Sequence, residues 1–363
     1  MSEIKIQIKV NPGFYPHLLK SYPYYDKGRR CIHYICIVKF ILKLMRPTFS
    51  ASLILMYLII SIPNQLHSQN VNGKKILWTT DWSANGKYIA VAGNTDTLVI
   101  YHSESMKTFK RIPFKSTITR VKWHPNSLIL AITSQNAPDG SCIFNIDTGH
   151  RIELEGISTD GARAMDWHEN GQYLVVGDND GKISIFDING KLIRTFHHEN
   201  TKSITGLDWH PSKDLIVTVG DEIRLFNTQG LLIQKIKHRP EAVLILSVAW
   251  HPSGDMFVTG DYGDSIDKSL LQYWDQNGNL IIASDISKGE YRNMVWNKKG
   301  DRLATASDVL RIWDQKGSLK YTGTSPDYLW GVSWSPRSKS IVTSSFQQKI
   351  RIWDNKARNI LSI

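Results

Sequence analysis

The chain has 363 residues and a formal charge of +11, with 44 Lys and Arg against 33 Asp and Glu. That excess does not describe a nucleic-acid surface once it is placed along the chain. Residues 1–68 hold nine of the basic residues against Glu3 and Asp26, so the other 295 residues carry 35 basic and 31 acidic side chains with no run of Lys and Arg interleaved with aromatics. The three cysteines exclude a disulfide framework or a cysteine metal cluster, because Cys31 and Cys36 are too far apart for a CxxC pair and Cys142 stands alone on an apolar strand.

Residues 1–44 mix basic, aromatic and proline residues without any repeat, and read as an extension upstream of the true start. From Met45 the pattern changes. Met45-Arg46-Pro47-Thr48 gives a short positive end, Phe49 to Ile62 is a largely apolar run of fourteen residues, and Ser68 is a small residue before Gln69. Together they describe a signal peptide over 45–68, with a mature start near Gln69 and a periplasmic or secreted product. Fourteen residues are short for ~30 Å of hydrocarbon. A membrane enters only if the 49–62 segment is retained as an anchor; a cytoplasmic protein with a misleading apolar stretch is the other alternative.

From residue 69 onward the chain is periodic. Trp82, Trp123, Trp167, Trp209, Trp250, Trp296 and Trp334 recur at intervals of 41, 44, 42, 41, 46 and 38 residues. Most are followed by a turn signal, as in Trp123-His124-Pro125, Trp209-His210-Pro211, Trp250-His251-Pro252 and Trp334-Ser335-Pro336. Later in each unit an apolar strand ends on an aromatic and a turn residue, and three of these endings read Trp274-Asp275, Trp313-Asp314 and Trp353-Asp354. A period of ~40–45 residues with that ending is the mark of a four-stranded propeller blade. The stretch from Leu77 to Ile363 resembles the WD40-repeat family. The resemblance implies an all-β fold over 69–363, a seven-bladed β-propeller of four-stranded antiparallel blades.

The third unit shows how one repeat becomes one meander. Ala164 to Trp167, Tyr173 to Gly177, a strand through Ile183, Ile185 and Phe186, and Lys191 to Phe196 are separated by Asn170-Gly171, Asp180-Gly181 and similar turns. Such pairs are hairpin signals, because the tight turn needs positive φ. Each blade face packs on a neighbour, so the repeat tryptophans are wedges between blades. Propellers of this family commonly close by lending an N-terminal strand to the last blade. Here Asn359 to Ile363 has the length and spacing of a fourth strand, and predicts a seventh blade made from one contiguous segment.

The family's buried network of His, Ser or Thr, Asp and Trp survives only in fragments: Thr305, Asp308 and Trp313 in the sixth unit, and Asp180 with Phe186 in the third. His124, His168, His210 and His251 occupy equivalent places on different blades and so do not converge on one ion. His197-His198-Glu199, the calcium-like Asp178, Asp180 and Gly181, and the Asp261, Asp264 and Asp267 group each lack a full ligand set. No catalytic motif, metal site or cofactor is expected.

Four residues before each repeat tryptophan stand Trp78, Thr119, Arg163, Thr205, Leu246, Arg292 and Trp330. The resemblance implies that these positions surround the channel mouth, with Asn136 to Gly140 and Asp261 to Ser269 on the rim. Trp78, Arg163, Arg292, Tyr328 and Trp330 are therefore the candidate contacts for a protein or peptide partner; the alternative is that Trp78 and Trp330 merely plug a blade junction. The expected function is a non-catalytic binding scaffold, exported. A propeller enzyme with a channel metal and an intracellular scaffold subunit of a multiprotein complex are the competing readings.

Overall fold

The computed structural model describes residues 75–135, 138–199, 203–239, 243–263, 269–324 and 327–363. The expectations for 1–44 and 45–68 lie outside the described residues, as do Asn136, Ala137, Asp264 and Asp267. The described chain is all-β: seven four-stranded antiparallel sheets, each built from four consecutive strands. The innermost strands are Leu77–Trp82, Thr117–Trp123, Ala162–Trp167, Gly206–Trp209, Ile245–Trp250, Asn293–Trp296 and Leu329–Trp334. Each contacts the innermost strand of the next sheet, and the last contacts the first, which closes a ring of seven blades.

Blade seven is contiguous, as its sequence predicts. Asn359–Ser362 pairs with Ile350–Asp354 as the outer strand. No N-terminal strand is borrowed among the described residues, so ring closure rests on the seam between blades one and seven.

The core is divided among the blade junctions. One apolar cluster joins Ala131 and Ile143 of blade two to Trp167, Leu174 and Phe186 of blade three. Another joins Val217, Ile223 and Leu225 of blade four to Trp250, Phe257 and Trp274 of blade five. Six of the seven repeat tryptophans are buried in such junctions. The indole N–H groups of Trp123, Trp167 and Trp334 donate to carbonyls of Asp81, Lys122 and Val295 in the preceding blade, at 3.1, 3.2 and 3.2 Å. Truncating a buried tryptophan of this kind costs about 3–5 kcal/mol. Trp82 is the exception: it is half-buried at the seam and bonds Gly86 of its own blade.

The histidines after the tryptophans are latches between blades. His124, His210 and His251 donate from Nε2 to the carbonyls of Gly171, Gly254 and Gly300 in the next blade, at 2.9, 3.1 and 2.8 Å. Their Nδ1 atoms accept backbone N–H groups of Asn126, Ser212 and Ser253, which fixes the Nε2–H tautomer. Each ring also meets the next blade's tryptophan edge to face, at 5.0, 4.6 and 4.7 Å. The accepting glycines sit at φ of 73°, 78° and 73° and leave no room for a Cβ under the imidazole. His168 keeps the ring contact, to Trp209 at 4.9 Å, but the next blade turns through Ser212 and Lys213 with no glycine carbonyl to accept from it.

Candidate functional site

A narrow mouth and a wide cavity occupy opposite ends of the channel. The mouth is a cavity of about 60 Å³ walled by all seven positions that precede the repeat tryptophans by four, together with Arg120. Strand alternation alone would turn those positions away from the channel, because residues one and three before each tryptophan already face one way. A β-bulge corrects this. In blades one, two, three, five and seven the register slips across Trp78, Thr119, Arg163, Leu246 and Trp330, leaving each without a partner residue of its own in the strand pairing. In blades four and six Thr205 and Arg292 donate to the carbonyls of Val219 and Ala306, which already face Gly206 and Asn293. Bulges re-aim side chains, and here they supply the mouth with seven of its eight walls.

Four of those side chains form a stack. Arg292 lies 3.8 Å over the Trp330 ring, Trp330 lies 4.7 Å from Trp78, and Arg163 lies 5.7 Å from the Trp78 ring. The order Arg163, Trp78, Trp330, Arg292 bridges the seam between blades seven and one. Each cation over an indole face is worth roughly 0.5–2 kcal/mol, more as water is excluded. Arg292 also pairs with Glu290 at 3.3 Å, and Arg163 meets the neutral amide of Gln135 at 3.3 Å. The structure thus brings Trp78, Arg163, Arg292 and Trp330 together. Tyr328 stands off the cavity wall, 37% exposed, with its ring against Gly289 of the blade-six loop.

The wide end is a cavity of about 660 Å³ with a different chemistry. Asp81, Lys122, Asp166 and Asp208 occupy the position directly before the repeat tryptophan, which the tryptophan spacing does not single out. Their carboxylates are tied to the scaffold: Asp81, Asp166 and Asp208 accept the backbone N–H of Trp123, Trp209 and Trp250 in a neighbouring blade, at 2.8, 3.0 and 2.6 Å. Ser333 of blade seven donates to Asp81 at 2.8 Å and accepts from the Trp82 N–H at 3.1 Å, which pins the seam. Lys122 pairs with Asp166 at 2.9 Å. Its side chain lines the cavity; burial pulls its pKa down, but Asp166, Asp208 and Asp81 outweigh that and hold it above the usual lysine value. Burial and the neighbouring Asp166 push Asp208 well above the usual carboxylate value, and burial raises Asp81. Among the described residues Arg120 alone lines both cavities, so it forms the partition between them.

The other acidic and histidine groups have structural partners. Asp178, not Asp180, is the buried carboxylate of the third blade; it accepts the N–H of Ser158, Asp180 and Lys182 and closes the hairpin. Asp261 is fully buried and bonds His238 and Arg239, each at 3.0 Å, which removes it from the rim. With Thr259 bonded to the Trp274 indole at 2.9 Å, blade five retains all four residue types of the buried network, more than the fragments visible in the sequence. In blade six Thr305 bonds Trp313, while Asp308 takes Arg311 and Ser287 in place of a histidine. His198 bonds Thr218 at 3.0 Å, and burial with the nearby Arg224 lowers its pKa to about 4. Cys142 is buried on its strand, and burial pushes its thiol up to about 12. Among the described residues no group of three or more His, Cys, Asp or Glu gathers to hold a metal ion.

Comparison with known proteins agrees with this architecture. The WDR19 first beta-propeller family matches residues 78–247, and the WD domain, G-beta repeat, matches residues 231–273 and 317–354. The chain is similar to eukaryotic translation initiation factor 3 subunit I of Botryotinia fuckeliana, 23% identical over 175 residues, 44% of this chain and 52% of that protein. It is 22% identical to the WD repeat-containing protein WDS homolog of Arabidopsis thaliana over 315 residues, 80% of this chain and 58% of that protein. It is 26% identical to the anaphase-promoting complex subunit cdc20 of Dictyostelium discoideum over 161 residues, 40% of this chain and 31% of that protein. The chain spans about half the length of the first of these relatives.

Proposed function

The chain belongs to the WD40-repeat β-propeller family, and on that premise we propose that it is a non-catalytic platform that receives a protein or peptide partner at the narrow mouth of its channel. The observation that carries this reading is the Arg163, Trp78, Trp330, Arg292 stack, built from residues on four blades and aimed by bulges into one cavity. Tryptophan and arginine dominate binding energy at interfaces, because they bury much area for little conformational entropy. The carboxylates of the wide end are engaged by backbone N–H groups, which argues against their serving a reaction. With a partner identified by affinity capture, Trp330→Ala and Arg292→Ala should each weaken binding by about 1–3 kcal/mol with the melting temperature nearly unchanged. Loss of stability without selective loss of binding would mean that the two indoles only plug the seam.

Two settings for such a platform stand on different observations. The 45–68 segment favours export, with cleavage before Gln69; N-terminal sequencing of protein from its native host tests it, and recovery of peptides from 1–44 in the folded protein would overturn it. The names of the relatives, a subunit of a translation initiation factor and a subunit of the anaphase-promoting complex, favour a subunit of an intracellular assembly instead. In that case residues 1–68 stay on the protein.

A further inference from the structure

The strand turns at the wide end divide that face of the ring into two halves of opposite charge. In an antiparallel meander the turn from the first strand to the second and the turn from the third to the fourth share one end of the blade. Ala84, Glu169, Lys298 and Pro336 of the first kind line the wide cavity, which fixes that end. The second kind sits beside them: the Ser103 N–H donates to the Lys87 carbonyl and the Gln276 N–H to the Asp255 carbonyl, each at 2.9 Å. In blades six, seven and one these turns are 83–87, 103–107, 297–302, 314–318, 335–339 and 354–358, and they hold ten Lys and Arg against four Asp and Glu. In blades two to five they are 124–128, 146–150, 168–172, 187–191, 210–215, 227–231, 251–255 and 275–279, and they hold two Lys against six Asp and Glu. The three basic blades are consecutive across the seam, where a Cβ on Gly86 would lie 3.9 Å from Pro336. Arg302 and Arg358 pair within their own turns. Lys87, Lys298, Lys299, Arg337, Lys339 and Lys356 are exposed and take no ion pair among the described residues, and the same holds for Asp147, Glu169 and Asp255 on the acidic half. Like charges gathered in this way repel one another until a counter-charge covers them.

Whatever covers the whole of this face must carry both signs, in separate halves. A polyanion or an anionic membrane suits the basic half and is repelled by the acidic one. A second copy of the same face meets the condition by symmetry: a two-fold axis in the plane of the face, at right angles to the line from the basic half to the acidic half, lays each basic half on an acidic one, and the two contacts are identical. Shape permits it. Every turn from a first strand to a second is five or six residues long, so none stands above the rest to hold two faces apart. We propose that the chain forms a two-fold dimer through its wide ends, with blades six, seven and one of each copy over blades two to five of the other. Single exposed ion pairs contribute little, whereas complementary fields decide which faces meet and in what orientation, so the association varies with concentration and salt. Both mouths stay on the outside of the dimer, and the reading of the mouth as a partner site stands or falls separately.

The test is sedimentation of the full chain over a range of concentrations, at ~0.1 M salt and at ~1 M, where screening acts beyond about 3 Å. The protein should pass from monomer to dimer as its concentration rises, with a dissociation constant on the order of tenfold higher in the stronger salt. A basic-half variant, Lys298→Glu with Lys299→Glu and Arg337→Glu, and an acidic-half variant, Asp147→Lys with Glu169→Lys and Asp255→Lys, should each stay monomeric where the unaltered chain is a dimer, with melting temperatures nearly unchanged. Mixed together, the two variants should form a heterodimer, because each half then meets its opposite again. If either triple variant fails to fold, Lys298→Glu and Glu169→Lys singly should each weaken the dimer, and their mixture should recover it. A chain that stays monomeric at every concentration would overturn the proposal, as would a dimer indifferent to salt and to both reversals, or variants that do not recover on mixing. A monomer that binds polyglutamate, duplex DNA or phosphatidylserine vesicles, and loses that binding in the basic-half variant, would overturn it too and assign the basic half to an acidic protein, a nucleic acid or a membrane.

Discussion

The two ends of the channel carry charge in opposite ways. At the wide end Asp81, Asp166 and Asp208 each accept a backbone N–H from a neighbouring blade, so their charge is consumed in holding the ring together. At the mouth Arg163 and Arg292 lie over indole rings and meet the side chains of Gln135 and Glu290. Carboxylates bonded to the backbone of the next blade fasten the ring; guanidiniums stacked on indoles line its mouth. The wide end therefore acts as scaffold, and the mouth is the surface proposed to meet a partner.

The largest test of that division strikes the scaffold. Gly254→Ala forces a non-glycine residue to φ 78° and places its Cβ 2.4 Å from the His210 ring. The strain and the overlap together should cost about 3 kcal/mol in chemical denaturation, while the folded fraction binds its partner as before. Adding His210→Ala removes the overlap, so the double variant should be less destabilised than the two single losses combined. Asp81→Ala should come next, at about 1–3 kcal/mol, because it strands the Trp123 N–H and removes the acceptor of Ser333 at the seam.

A smaller effect measures how far the mouth is itself structural. A double-mutant cycle on Trp78→Ala and Trp330→Ala should return a coupling of about 0.5–1.5 kcal/mol in stability, the value of one aromatic pair. A coupling several times larger would make the pair a plug first and a recognition surface second. The smallest effect is a slope with pH. Asp208 titrates above the usual value in the folded protein, because of burial and Asp166, and so binds a proton more readily there than in the unfolded chain. Stability should fall as pH rises from about 4 through the folded pKa, and Asp208→Asn should flatten that part of the profile and raise stability at neutral pH. An unchanged profile would show that Lys122 already neutralises the Asp208 carboxylate.

The fold was legible in the sequence because the wedge at each blade junction is a single conspicuous residue type, and tryptophan at ~40-residue intervals is hard to place in any architecture without a blade-sized repeat. The contiguous seventh blade was legible too, from the length of the segment after Asp354. At the mouth, counting four residues back from each tryptophan found all seven ring positions. The bulge that turns them inward was not legible, since a slip in register leaves no mark in residue identity. The aspartates one residue before the tryptophans were missed for a related reason: their partners are backbone N–H groups of another blade, and no side-chain pattern announces them. Asp178 and Asp261 suggested calcium loops because a carboxylate that closes a turn and one that binds a cation look alike in a linear string. Tyr328 is close to the mouth in sequence yet lies off its wall, since the strand carrying Trp330 starts only at Leu329.

Ser333 reaches Asp81 across 252 residues of chain, and Trp330 reaches Trp78 across the same seam. Among the described residues no strand is borrowed between the first and last blades, so contacts such as Ser333 with Asp81 and with the Trp82 N–H fasten the circle only after the seventh blade exists. During synthesis the first blade waits for its seventh-blade neighbour while six others are made. The stack of indoles and guanidiniums comes into being at the moment of fastening, so a partner that docks there engages completed rings and passes over open ones.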